Sequence, residues 1–136
     1  MRYTRYMKLN AVGVASSDIP KTISFYECLG FTFGEFTPDG KHVESVPNDG
    51  SARLMIDSTE VIEAINGKVP KPGNHSSFAI EFASAAEVDE VAQKVAAAGF
   101  TVAKEPWDAF WGQRYAVVAD PDGYMVDLYA ALEQKK

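Results

Sequence analysis

Apolar and polar positions along this chain switch between two periods, and the switches mark its elements. Leu9 to Ala15 alternates, with Val12 and Val14 on one face and the small residues Ala11, Gly13 and Ala15 on the other, and predicts a strand. Asp18 then offers a helix cap and Pro20 a first-turn proline. Ile19, Ile23, Tyr26 and Leu29 fall on one side, and Gly30 stops the helix. Phe31 to Phe36, His42 to Val46 and Ala52 to Asp57 read as three further strands. They are separated by the turn sequences Pro38-Asp39-Gly40 and Asn48-Asp49-Gly50.

Thr59 to Asn74 breaks the pattern: Glu60 to Ile65 allows one helical turn or an irregular segment, and GKVPKPG reads as a loop. The pattern then restarts. Ser77 to Ala83 alternates, with Phe78, Ile80 and Phe82 opposite Ser77, Ala79 and Glu81. Ser84 and Glu87 form a capping box, followed by Val88, Val91, Ala92 and Val95 at helical spacing, and Gly99 ends that helix as Gly30 ended the first. Thr101 to Lys104 predicts a strand and Glu105 to Gly112 a loop. Arg114 to Ala119 and Met125 to Tyr129 form a hairpin around Asp120-Pro121-Asp122-Gly123, with Val126 and Leu128 facing away from Met125, Asp127 and Tyr129.

Each half therefore reads β-α-β-β-β, an internal duplication of roughly 60 residues. The organisation expected is one α+β domain over residues 1–136, with modules at 8–58 and 75–132 joined by a linker at 59–74. One helix covers one face of each sheet and leaves the other face to a shared concavity.

Composition narrows the partners. With 46% hydrophobic and 24% charged residues the chain is an ordinary globular protein, and no apolar run approaches the roughly 20 residues of a membrane span. The N-terminal MRYTRYMKLN has no apolar stretch behind it, so no signal peptide is read and a cytoplasmic location is expected. The net charge of −6, without a basic stripe, argues against nucleic acid and mildly favours a cationic ligand. The single cysteine, Cys28, excludes an internal disulfide and reads as a small buried hydrophobe.

Three motifs carry a family likeness: DIPKTISFYECLGF (Asp18 to Phe31), VDEVAQKVAAAGF (Val88 to Phe100) and WGQRYAVVADPDGYMVDL (Trp111 to Leu128). With the duplication, they resemble the vicinal oxygen chelate superfamily, which holds glyoxalase I, extradiol dioxygenases and the bleomycin-resistance proteins. The resemblance implies two βαβββ modules whose curled mixed sheets form a cup, a ligand inside that cup, and a homodimer. Its enzymes hold a divalent metal through the first and last strands of each module. Carried onto this chain, those positions fall on Ala11, on or next to Asp57, on Ser77 and on Asp127. Two carboxylates remain and both imidazole positions are lost. Alanine cannot ligate and serine ligates poorly, so no cofactor is expected. A divalent metal on Asp57, Asp127 and perhaps His75, which lies two residues from Ser77, is the alternative. His42, on a middle strand, reads as a surface or edge imidazole.

The face away from the helices carries Met55, Asp57, Glu81, Met125, Asp127 and Tyr129, and Tyr115 joins this set as a ligand contact. Trp107, Phe110 and Trp111 crowd the loop before the last hairpin, where they either cap the core or form a stacking wall for a planar or cationic ligand. Arg114 is expected to pair with Asp127 or Glu81. If these two carboxylates are unpaired inside the cup, either is a candidate general base. The leading reading is metal-independent binding of an aromatic or cationic small molecule, as the bleomycin-resistance branch implies. The alternatives are a lyase, isomerase or dioxygenase of the glyoxalase kind, using a metal or a carboxylate base, and an accessory protein with a vestigial cup.

Overall fold

A computed structural model describes residues 8–37, 39–48, 50–73 and 78–133. Among these, seven strands and three helices follow the order β1 (Ala11–Ser16), α1 (Ile19–Cys28), β2 (His42–Glu44), β3 (Arg53–Ser58), α2 (Thr59–Asn66), β4 (Phe78–Glu81), α3 (Ala85–Ala97), β5 (Thr101–Ala109), β6 (Gln113–Ala119) and β7 (Met125–Ala131). They build two separate mixed sheets, ordered β1-β3-β2 and β4-β7-β6-β5. In each, the first strand of the module runs parallel to the last, and the intervening strands are antiparallel. The duplicated α+β architecture is thus two mixed sheets, of three and four strands, that do not close into a barrel.

The helices form where local chemistry directs them. Asp18 caps α1 through Lys21 N–H (3.3 Å), with proline in the first turn. Ser84 caps α3 through Glu87 N–H (3.3 Å), and the Glu87 carboxylate reaches back to Ala83 N–H (3.2 Å), one residue beyond the usual box. Gly30 (φ +107°) and Gly99 (φ +87°) follow the helix ends in the left-handed region that favours glycine. The stripe Val88, Val91, Ala92 and Val95 is buried throughout.

Three sequence expectations change. Phe31 to Phe36 is not a regular strand: it bridges β2 only at Phe33–Ser45, with scattered backbone bonds such as Gly34 N–H to Glu44 O (3.1 Å), while Phe31 and Phe33 pack against the core. Glu60 to Ile65 lies within a full helix, α2, capped by Ser58 through Val61 N–H (3.3 Å) and ended by Gly67. The expected loop from Glu105 is instead the second half of β5, which runs through two register shifts to Ala109.

The modules share one core. From α1, Phe25 meets Phe100 edge-on (5.4 Å) and Tyr26 stacks near Phe78 (6.4 Å), so the first helix packs against the second module. The turn after β6 locks this contact. Asp120 is 4% exposed and accepts from Asp122 N–H and Tyr124 N–H (both 2.9 Å) and from the Tyr26 hydroxyl (2.9 Å). Asp122 accepts from Ser17 N–H at the start of α1 (3.1 Å). The Asp120-Pro121-Asp122-Gly123 sequence is therefore both a hairpin turn and an intermodule clamp.

Candidate functional site

Strand parity decides what faces away from the helices. In β7, Val126, Leu128 and Ala130 are buried, leaving Met125, Asp127 and Tyr129 on the open face. In β6, Ala116 and Val118 are buried, leaving Gln113, Tyr115 and Val117. Register then aligns these residues across strands: Trp107, Tyr115, Tyr129 and Glu81 are successive partners from β5 to β4.

The aromatic members touch. Tyr115 stacks with Tyr129 (6.1 Å between centroids, 23° between planes), and Trp107 meets Tyr115 at 5.5 Å. Trp111, from the β5–β6 turn, lies edge-on to Tyr115 (5.3 Å), Trp107 (6.1 Å) and Phe110 (5.0 Å). Its indole N–H donates to Gln113 Oε1 (2.8 Å), which fixes the ring. Together these rings form one contiguous aromatic wall on the open face. Phe110 is 97% exposed and Trp111 49%, so neither caps the core. At the foot of the wall the Tyr115 hydroxyl donates to Asp127 Oδ2 (2.6 Å). Burial, and secondarily the Asp127 carboxylate, push the Tyr115 phenol up to about 12.

Arg114 does not pair with Asp127 or Glu81. It has the parity of Ala116 and Val118, faces α3, and donates to Asp89 (2.9 Å) and Asp108 (3.0 Å). Glu81 is exposed on the outer strand β4, beyond Tyr129. Met125 is also exposed on this face.

The first module's open face has a different chemistry. Met55 lies across Gly13 on the neighbouring strand, its methyl 3.9 Å from where a Cβ would stand. Asp57 is paired with His42, an imidazole on the edge strand β2 as the sequence leads one to expect. His42 Nδ1 meets Asp57 Oδ1 at 2.5 Å and Nε2 meets Glu44 Oε2 at 2.8 Å, and Arg53 binds the other Glu44 oxygen. Ionised carboxylates only accept, so both contacts are satisfied when both ring nitrogens donate, and the pair favours the imidazolium form. Its pKa is accordingly raised, by the Asp57 bond first and the Glu44 bond second, while His42 and then Arg53 hold Glu44 below the usual carboxylate range. The signal was cross-strand: His42 opposes Asp57 in the β2–β3 register, which only the pairing reveals.

Between the modules, the outer strands β1 and β4 flank a cleft of about 710 Å³, lined by Val12, Phe31, Phe78 and Ile80 with Arg53 and Glu81 at its rims.

Among the described residues, the metal positions implied by the family likeness supply only Asp57 and Asp127, one carboxylate from each module, hydrogen-bonded to His42 and Tyr115, because Ala11 has no donor atom. Ser77 and His75 lie outside the described residues. Among the described residues no three His, Cys, Asp or Glu side chains converge as ligands.

A βαββ module and a βαβββ module, each with a helix-covered face and an open, decorated one, define a two-module α+β fold. The chain belongs to the Glyoxalase/Bleomycin resistance protein/Dioxygenase superfamily, whose sequence model matches residues 8–128. Solved structures agree in fold. A glyoxalase/bleomycin resistance protein/dioxygenase family enzyme from Burkholderia phytofirmans PsJN has a TM-score of 0.79 at 21% identity, covering 93% of this chain and 100% of that one. Lactoylglutathione lyase from Agrobacterium tumefaciens gives 0.65 at 18% identity, covering 93% and 96%. TioX from Micromonospora sp. ML1 gives 0.64 at 21% identity, covering 93% and 100%. No curated protein matches the chain. No helix among the described residues is long and apolar enough to cross a membrane.

Proposed function

We propose that this protein binds a small aromatic or cationic molecule without a metal, in the manner of the bleomycin-resistance branch of its superfamily. The observation that carries the reading is the aromatic wall of Trp107, Trp111, Tyr115 and Tyr129 with the Asp127 carboxylate at its foot. Ring faces attract planar and cationic groups, at roughly 0.5–2 kcal/mol per cation–π contact. The chain has two tryptophans, and both stand in this wall, so tryptophan emission excited selectively over its tyrosines reports on it. Titration with a planar aromatic cation such as proflavine is expected to quench that emission saturably. Trp111→Ala is expected to weaken binding by about tenfold. Quenching that stays linear and never saturates would refute the reading.

The same reading has the protein acting as a cytoplasmic homodimer. Its support is the exposed Phe110 ring at the hairpin tip, an apolar surface of the kind a second copy covers. Sedimentation at micromolar concentration tests it: a monomer that Phe110→Ser leaves unchanged would refute it.

A further inference from the structure

The open face of the second module is electrically asymmetric, and the asymmetry is built by register. One cross-strand row reads Trp107, Tyr115, Tyr129, Glu81, and the row beside it reads Lys104, Val117, Asp127, Ala79. Lys104 and Trp107 are three residues apart, a spacing that strict alternation sends to opposite faces. The register shift between them brings them together, and Lys104 Nζ lies 4.8 Å from the Trp107 ring centroid. The face thus carries an ammonium at its β5 end and the carboxylates of Asp127 and Glu81 at its β7–β4 end, with stacked tyrosines between. Arg114, on the opposite face with Asp89 and Asp108, takes no part.

A plain cation would meet Lys104 at the one end of the wall where the richest ring face already holds a charge. A plain anion would meet two carboxylates at the other end. We propose that the ligand of this face is a planar aromatic zwitterion, its anionic group placed toward Lys104 and its cationic group toward Asp127 and Glu81. Lys104 and Asp127 are two strands apart, which sets the distance between the ligand's charges at about 10 Å. The inference rests on the binding site proposed above and narrows its ligand class from aromatic or cationic to bipolar. It also makes Lys104, which no sequence pattern singled out, a specificity-determining residue.

Three probes sharing one ring system test it by calorimetry at low ionic strength: 6-(aminomethyl)-2-naphthoate, its carboxamide (cation only) and its N-acetyl derivative (anion only). The zwitterion is expected to bind roughly tenfold more tightly than either singly charged probe. Lys104→Gln is expected to reduce zwitterion binding to the level of the cation-only probe, and Lys104→Arg to restore it. Asp127→Asn, which keeps an acceptor for Tyr115, is expected to reduce zwitterion binding without weakening the anion-only probe. If the cation-only probe binds as tightly as the zwitterion and Lys104→Gln strengthens it, Lys104 is a competitor and this inference is overturned while the binding site stands. If none of the three probes binds, both fail.

Discussion

The Tyr26 hydroxyl donates to the Asp120 carboxylate across 94 positions of sequence, joining the first helix to the turn of the last hairpin. Both groups are buried, and burial raises both pKa values. Ionised Asp120 is costly in that setting, and three converging donors offset the cost.

Removing one of those donors should therefore be felt globally. Tyr26→Phe is expected to cost about 2 kcal/mol, the scale of a lost hydrogen bond to a buried charged group. For a chain of this size that corresponds to roughly 5 °C or more in Tm. Thermal unfolding followed by circular dichroism measures it, and a shift below 1 °C would show that the clamp does not hold the modules together.

His42 should impose a pH window on stability. Its raised pKa means that its contribution is full below the ordinary imidazole value of about 6.5 and is lost as the pH rises through the folded value. Glu44, held low, contributes above the ordinary carboxylate value of about 4.3 and stops contributing as the pH falls through its folded value. The network is strongest between these limits. Urea midpoints measured from pH 4 to 9 should fall less above pH 6.5 in His42→Gln than in the parent protein. Parallel curves would refute the imidazolium bridge.

Tyr115 should titrate late. Absorbance at 295 nm is expected to show its phenol ionising near 12, later than an exposed tyrosine. Asp127→Asn should move that step down only part of the way towards 10, because burial is the larger cause and persists. A return to 10 in the variant would assign the whole shift to Asp127.

Leu128 is fully buried beneath the wall, on the helix side of β7. Leu128→Ala is expected to cost 2–5 kcal/mol, roughly the range for a cavity left by a core leucine. Chemical denaturation gives the value directly, and a loss below 1 kcal/mol would mean that α3 collapses onto the sheet.

Much of this fold was legible in the chain where local and global signals agreed. The Ser84–Glu87 box and the Val88–Val95 stripe placed α3, and the alternation around Asp127 separated the buried and open faces of β7. Reading failed where tertiary context altered the period. Phe31 and Phe33 have strand spacing, yet they bury their rings with only one bridge between Phe33 and Ser45. Beyond Lys104 the register shifts break alternation, and Pro106 lacks a donor, so the rest of β5 looked like loop. Arg114 was assigned to the wrong side although its parity with Ala116 and Val118 pointed to α3. The wall's tryptophans were visible as residues but not as a surface. His42 was not legible as a site at all, because Asp57 lies 15 residues away and meets it only through strand pairing.

The loss of a regular second strand from the first module leaves the two halves unequal. β2 is three residues long and is met on its outer side by an irregular segment through Gly34 N–H to Glu44 O (3.1 Å), Thr37 N–H to His42 O (3.0 Å) and Val46 N–H to Thr32 O (2.8 Å), whereas the equivalent β6 lies between two long partners. The second module thus has a broad four-stranded floor and the first a narrow margin, which is expected to open first. In hydrogen exchange the amides of residues 42–45 should be the first among the strands to take up deuterium.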